Sequence, residues 1–392
     1  MIGKILTRND QFEGGPPHRV ERAVGLIKPD DLRIANRVFL VVLIGWIIPA
    51  LLSAIDGRVF NGERSGAFIF DFATSARFLI AAPLLIIAES ITIPRLANIA
   101  HHFLASGLVA EQDRVLFDDA ISSTRKLSNS WLVEFIVIVL AFSVVAAEFR
   151  NLNPQVIPAW YKSGGDGELA FSAAGWWSIF VSVPLLIILF LGWMWRVFLW
   201  GRFLWLMSRL NLQLNPGHPD LAGGLKFTSD SLRAFYPIAF ALGALVSGVA
   251  ANRIVYQGVS PEIFKKTIIA LVIFVVVFFS GPLLVFTRNL IVEKRRGVLA
   301  YGALALGLGR QFEHKWIGHA GKVEESALEA SDFSSTTDLY QIVSNVYRMW
   351  AIPIDIRDVS MLIIVTVAPF LPIILLVIPT EVIWENLRKL LF

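Results

Sequence analysis

Glu89 is the side chain of this sequence best placed to do chemistry. It lies in the apolar run AAPLLIIAES, with Ser90 and Thr92 beside it. A carboxylate inside a membrane span costs roughly 2.5–3.5 kcal/mol on insertion scales, so such a group points to ion passage, a proton relay or a buried pair. Arg77 stands at the mouth of the same run, shortly after Asp71. Glu134 and Glu148 mark the two ends of the next apolar run and share one helix face at 100° per residue. Acidic groups at both ends of a helix attract cations. Glu89, Arg77 and Glu134 are therefore the candidates for an ion path, with solvated helix ends or structural pairing as the competing reading.

The densest local motif is the loop Asn215-Pro216-Gly217-His218-Pro219-Asp220-Leu221-Ala222-Gly223-Gly224-Leu225. His218 and Asp220 can share a proton or hold an ion, and the paired glycines permit a tight turn. A turn with a local hydrogen bond is the simpler reading. The loop is not a phosphate loop, because no Gly-Lys-Ser/Thr follows. Gly307-Leu308-Gly309-Arg310 is likewise too little for a dinucleotide site. No motif asks for a cofactor or a metal: there are no cysteines, and none of the six histidines sits in an HExxH pattern.

Arg196 and Arg202 lie where an apolar run overshoots the bilayer, and Lys294, Arg295 and Arg296 cluster just past another. Such positions suit contacts with the phosphates of anionic lipids. Nothing in the sequence reads as a nucleic-acid surface.

The elements that hold these residues are long apolar helices. Hydrophobic residues make up 55% of the chain and charged residues 17%, against about a quarter charged in soluble domains. Seven runs suit transmembrane helices, since about 20 residues cross a ~30 Å hydrocarbon core. They cover 38–55, 78–94, 131–147, 174–195, 234–251, 267–287 and 359–379. The fold class is therefore all-α: a polytopic membrane protein with a small helical cytoplasmic layer. Four regions follow: a cytoplasmic tail (1–37), a six-helix membrane region (38–287), a cytoplasmic helical segment (288–357), and a last span with an amphipathic tail (358–392).

Lys and Arg concentrate in the N-terminal tail, 95–130, 196–233 and 288–357, and are sparse in the alternate connections. The positive-inside rule then puts the N-terminus in the cytoplasm and the C-terminus outside. In the fourth span, Trp176 and Trp177 at one end and Trp193, Trp195, Trp200 and Trp205 at the other suggest aromatic belts. In the fifth, Ala239, Gly243, Ser247 and Ala251 form a small-residue row, with Ala244 and Gly248 a second, which predicts close helix packing. Ser335 and Asp338 suggest a capping box opening an amphipathic helix. Residues 380–392 suggest a second amphipathic helix on the outer surface.

The stretches HPDLAGGL, AAPLLIIAES, LASGLVAEQDR and DLYQIVSNVYRMWAIP resemble those of a group of uncharacterised bacterial polytopic inner-membrane proteins. The resemblance runs from about residue 38 onward. It implies a bacterial inner-membrane location and a shared fold, and transfers no activity and no site residue. The residues themselves favour an ion channel or transporter, without naming the ion, in contact with the bilayer and its anionic lipids and forming a homo-oligomer. The alternatives are a membrane scaffold or signalling protein with a cytoplasmic protein partner, and a lipid-modifying enzyme using His218 and Asp220 near Arg196 and Arg202.

Overall fold

The computed structural model describes residues 14–27, 32–60, 67–151, 157–163, 170–317 and 331–373, together with Arg388. Seven helices are long and apolar enough to cross a membrane. They are α2 (Ile34–Ile55), α3 (Phe72–Ala105), α5 (Trp131–Arg150), α6 (Ala173–Ser208), α7 (Tyr236–Gln257), α8 (Pro261–Trp316) and α10 (Ile356–Ile373). Further helices among the described residues are α1 (His18–Ala23), α4 (Arg114–Ser128) and α9 (Ser331–Arg348), with a short helix at Asp230–Ala234 inside the α6–α7 connection. Among the described residues there is no strand, only an isolated bridge between Lys162 and Phe171. The all-α polytopic architecture read from the sequence is the one observed. A helix stands at each of the seven expected spans, the last described only to Ile373, with 374–379 outside the described residues, and most helices outrun the apolar stretch that announced them. The amphipathic helix expected over 380–392 lies outside the described residues, apart from Arg388.

The bundle has two ends. The tail end gathers the segment before α2, the α3–α4 connection, the α6–α7 loop and the α8–α9 hairpin. The distal end gathers the α2–α3, α5–α6 and α7–α8 connections. At the tail end the helices overshoot: α6 at 36 residues is ~54 Å long. There Phe103 meets Phe227, Phe203 and Phe286, with ring centroids 5.0, 6.3 and 6.0 Å away. This aromatic core welds α3, α6, α8 and the α6–α7 loop together, at separations that favour edge-to-face and offset contacts.

The small-residue rows of α7 pack on two sides. Gly243 lies against the Thr366 carbonyl of α10, and Ser247 Oγ donates to the Pro369 carbonyl at 2.7 Å. Gly248 faces Ala76 and the Phe72 carbonyl of α3. The helix predicted to sit deep in the bundle is thus wedged between two neighbours.

Prolines shape three spans in one way. Leu43–Ile47, Ala76–Ala81 and Ser178–Ser182 form wide π turns. Each ends two residues before a proline: Pro49, Pro83 or Pro184. Proline has no N–H to close the next turn, so a carbonyl is left over. At Pro49 it is the Ile44 carbonyl, which accepts from Trp177 Nε1 at 2.9 Å and Ser182 Oγ at 3.1 Å. A neighbouring span thereby satisfies the group the proline released.

Three expectations are corrected here. Trp193 and Trp200 are buried rather than belted at an interface, because Trp193 Nε1 donates to the Leu85 carbonyl at 2.8 Å. Trp177 turns inward for the reason just given, while Trp176 and Trp205 stay exposed. Finally, α9 is already helical at Ser331, so Ser335 is an interior residue and not a cap. Phe333 anchors that earlier turn against Phe312 and Trp316 of α8.

Candidate functional site

Glu89 lies midway along α3 and is 1% exposed. It bridges two arginines from neighbouring spans. Arg37 Nη1 of α2 reaches Glu89 Oε2 at 2.6 Å, and Arg196 Nη2 of α6 reaches Oε1 at 2.8 Å. Arg37 also grips Glu21 of α1, with Nε to Oε1 at 3.0 Å and Nη2 to Oε2 at 2.9 Å. Arg196 Nε donates to the Gly14 carbonyl at 3.0 Å, and its guanidinium lies over Trp193. Two carboxylates and two guanidiniums thus balance in a dry place. Burying ions costs several kcal/mol each, and only this kind of paired geometry offsets it. Arg196 was expected at lipid phosphates; instead the charge of Glu89 draws it into the bundle.

The polar tail is part of this centre. Residues 14–23 fold up against α5 and α6. Gly15 N donates to the Ser128 carbonyl at 3.1 Å. Val20 N, a free donor of the first turn of α1, bonds Glu134 Oε1 of α5 at 2.9 Å. Gly192 allows the close approach: a Cβ there would collide with the Pro16 carbonyl oxygen. His18 is 3% exposed, and its Nε2 finds no hydrogen-bond partner among the described residues. Burial pushes its pKa down to about 4, against the opposing pull of Glu89. Burial, together with Glu89, pushes the Glu21 carboxyl up despite Arg37.

A second site occupies the distal end. A cavity of about 810 Å³ opens between α5, α6, α7 and the connection at residues 157–162. Its polar wall carries Asp71, Arg77, Glu148, Lys162, Asn252 and Arg253, and its apolar wall includes Ile179, Val183, Ile187 and Val249. Asp71 is the hub of the wall. Its Oδ1 accepts from Thr74 N at 3.0 Å and Asn252 Nδ2 at 2.8 Å. Its Oδ2 accepts from Thr74 Oγ1 at 2.9 Å and Trp160 Nε1 at 3.0 Å. Arg77, by contrast, has no hydrogen bond or ion pair among the described residues.

The three ion-path candidates therefore part company. Glu89 and Glu134 both hold the N-terminal segment, while Arg77 serves the distal cavity. Between Glu89 and Arg77 lie Phe78, Ala82, Leu85 and Ile86 of the core, so the three do not line one path in this conformation.

The His218–Asp220 loop is a built turn. His218 Nδ1 lies 2.8 Å from Asp220 Oδ1, with His218 half-buried. Asp220 also accepts from the backbone N–H groups of Ala222, Gly224 and Lys226, at 2.8, 3.1 and 3.1 Å. Burial alone would raise its pKa, but these donors outweigh it and hold the carboxyl below its ordinary value. Leu221, Gly223 and Gly224 take positive φ in that turn. Of the other basic candidates, Arg202 Nη1 donates to Ser123 and Thr124 of α4 at 3.1 and 3.2 Å. Lys294 Nζ donates to the Met349 carbonyl at 2.7 Å. Arg295 and Arg296 remain exposed at the tail end.

Sequence reasoning missed Arg37, Glu21 and His18. Arg37 had a readable signal: an arginine at the lip of one span, opposite a carboxylate that needed a cation. His18 and Glu21 had none, since a polar tail gives no hint that it folds back. Asp358 was also missed. It is 3% exposed and takes Ser229 Oγ at 2.8 Å and Arg233 Nε at 2.6 Å, which ties α10 to the loop before α7. No family model, no curated protein and no solved structure matches the chain.

Proposed function

We propose that this membrane protein is a transporter or channel, held here in a conformation closed at the tail end and open at the distal end. The observation that carries this reading is the pairing of a polar-walled cavity at one end with a folded-in N-terminal segment at the other. Cavities of this size suit small ligands. Glu89 and Glu134 act as the latch that holds residues 14–23 in place. Release of that segment is the opening step. The bias of Lys and Arg toward the tail end supports a cytoplasmic N-terminus in a bacterial inner membrane, with the cavity facing outward. The test is flux into liposomes carrying purified protein, wild type beside a variant lacking residues 1–27. The variant should pass ions or small solutes at least tenfold faster. If both match empty vesicles for anions, cations and protons, with and without a voltage, the proposal fails.

A second reading, a membrane scaffold, is favoured by the apolar side chains that the α8–α9 hairpin leaves exposed. Leu299, Leu304, Leu306 and Tyr347 are all more than half exposed there. It requires a partner that is lost when residues 318–350 are deleted, as read by a gentle pull-down. These exposed side chains also suit self-association, which cross-linking in native membranes would report. The lipid-modifying reading is weakened, because Asp220 is committed to its turn and Arg196 to Glu89.

A further inference from the structure

The geometry points to an anionic phospholipid as the occupant of the distal cavity, its phosphate on Arg77 and one acyl chain between α6 and α7. The donor count favours an anion. Arg77 presents five N–H donors, none engaged among the described residues, and Lys162 and Arg253 join it in the same wall. Asp71 makes no hydrogen bond or ion pair with Arg77 among the described residues: its acceptor positions are taken by the neutral donors of Thr74, Asn252 and Trp160, although its charge stays in the same wall. Among the described residues Glu148 is the other acid of the wall, and it lies on the exposed side of α5. An unpaired guanidinium at the edge of the hydrocarbon is costly, and a phosphate offers it bidentate pairing.

A second space suits the acyl chain. A groove of about 440 Å³ adjoins the cavity and shares Arg77, Val183, Ile187 and Val249 with it. Its other walls are Leu186, Leu245 and Val246, so beyond Arg77 it is lined entirely by aliphatic side chains. A cationic pocket running into an aliphatic groove between two spans matches a headgroup joined to a tail. A free inorganic anion would leave the groove unused. The rim is rigid enough to hold such a ligand: Tyr256 stacks on Phe72 and donates to the Phe70 carbonyl at 2.9 Å. As a statement about cargo this rests on the transport reading; as a statement about binding it does not.

The test uses the purified full-length protein in neutral micelles, offered phosphatidylglycerol, phosphatidylcholine or inorganic phosphate, with bound lipid counted by native mass spectrometry. Wild type should keep one phosphatidylglycerol where phosphatidylcholine is already lost. Arg77→Gln should weaken that retention at least tenfold, Arg77→Lys should restore most of it, and Val249→Trp, which fills the groove, should weaken it like Arg77→Gln. Lys162→Gln serves if Arg77→Gln does not fold. Equal retention of the two lipids, or retention indifferent to Arg77, overturns the assignment. So does inorganic phosphate bound equally by wild type and Val249→Trp with no lipid retained, which would make the site one for a free anion. Binding is read without flux. Flux with no lipid binding ends this inference alone; lipid binding with no flux ends the transport reading alone.

Discussion

Replacing Glu89 by Gln should destabilise the bundle by about 3–4 kcal/mol. Gln keeps the shape and removes the charge. Arg37 retains its paired contacts with Glu21, at 3.0 and 2.9 Å, so the loss falls mainly on Arg196. That guanidinium is 7% exposed and would keep the Gly14 carbonyl and the face of Trp193. Removing one partner of a buried pair typically costs about 3–5 kcal/mol, and the Gln carbonyl, which still accepts a hydrogen bond from a guanidinium, keeps the loss toward the lower part of that range. With an unfolding entropy of about 2.1 cal/mol/K per residue, the 392-residue chain should lose roughly 4 °C in melting temperature, followed in detergent by tryptophan fluorescence. The decisive comparison is Glu89→Gln with Arg196→Met added. Removing both charges should recover about 1–4 kcal/mol over Glu89→Gln alone. A Glu89→Gln variant within 1 kcal/mol of wild type would refute the argument. So would a double variant no more stable than the single one, since the buried charge would then not be the cause.

Three further outcomes are expected. The buried His18, whose pKa is about 4, faces Glu89, Arg196, Arg22 and Arg37; its released form should return near 6.5 and bind more protons. Docking of residues 14–27 is then fully supported above pH 6.5 and weakens as pH falls toward 4, by up to about 3 kcal/mol. Glu21 acts in the opposite sense: its raised pKa means that protonation on acidification favours the docked state. Hydrogen exchange of residues 14–27, compared between wild type and His18→Gln, isolates the His18 share, and identical pH profiles would discard it. Gly192→Ala should push the Pro16 carbonyl away at a cost of about 1–3 kcal/mol, speeding tryptic cleavage at the exposed Arg19 and Arg22 while the spans stay folded; unchanged cleavage would contradict the close approach. Trp177→Phe combined with Ser182→Ala strips the Ile44 carbonyl of both side-chain donors. The pair should cost more than the sum of the single changes, each about 0.5–1.5 kcal/mol, in a double-mutant cycle of melting data.

The seven spans were legible because membrane crossing is a property of a single segment: length and apolarity suffice, and no partner need be known. The packing role of α7 was legible for a related reason, since Gly243, Ser247 and Gly248 declare a close approach whatever approaches. The reach of each helix was not legible from hydropathy. Past the expected spans, α3 and α6 continue because Phe103 and Phe203 pack on each other, and α8 continues because Phe312 and Trp316 pack on Phe333 of α9. The role of Glu89 belonged entirely to tertiary structure. The sequence marked it as an expensive carboxylate, but its cost depends on which cations the fold brings within 3 Å, and those came from two other spans. The same holds for His18 and Glu21, which read as solvated tail residues until the segment folds back against Glu134 and Gly192. Arg77 shows the converse. It reads as an ion-path candidate at the mouth of its span, yet it lines the distal cavity apart from Glu89 and Glu134, with no hydrogen bond or ion pair among the described residues. The sequence determined that the chain crosses a membrane seven times, because a span is set by its own side chains. Only the tertiary structure decided which buried charges neutralise each other, because electrostatic pairing is set by neighbours that sequence distance does not reveal.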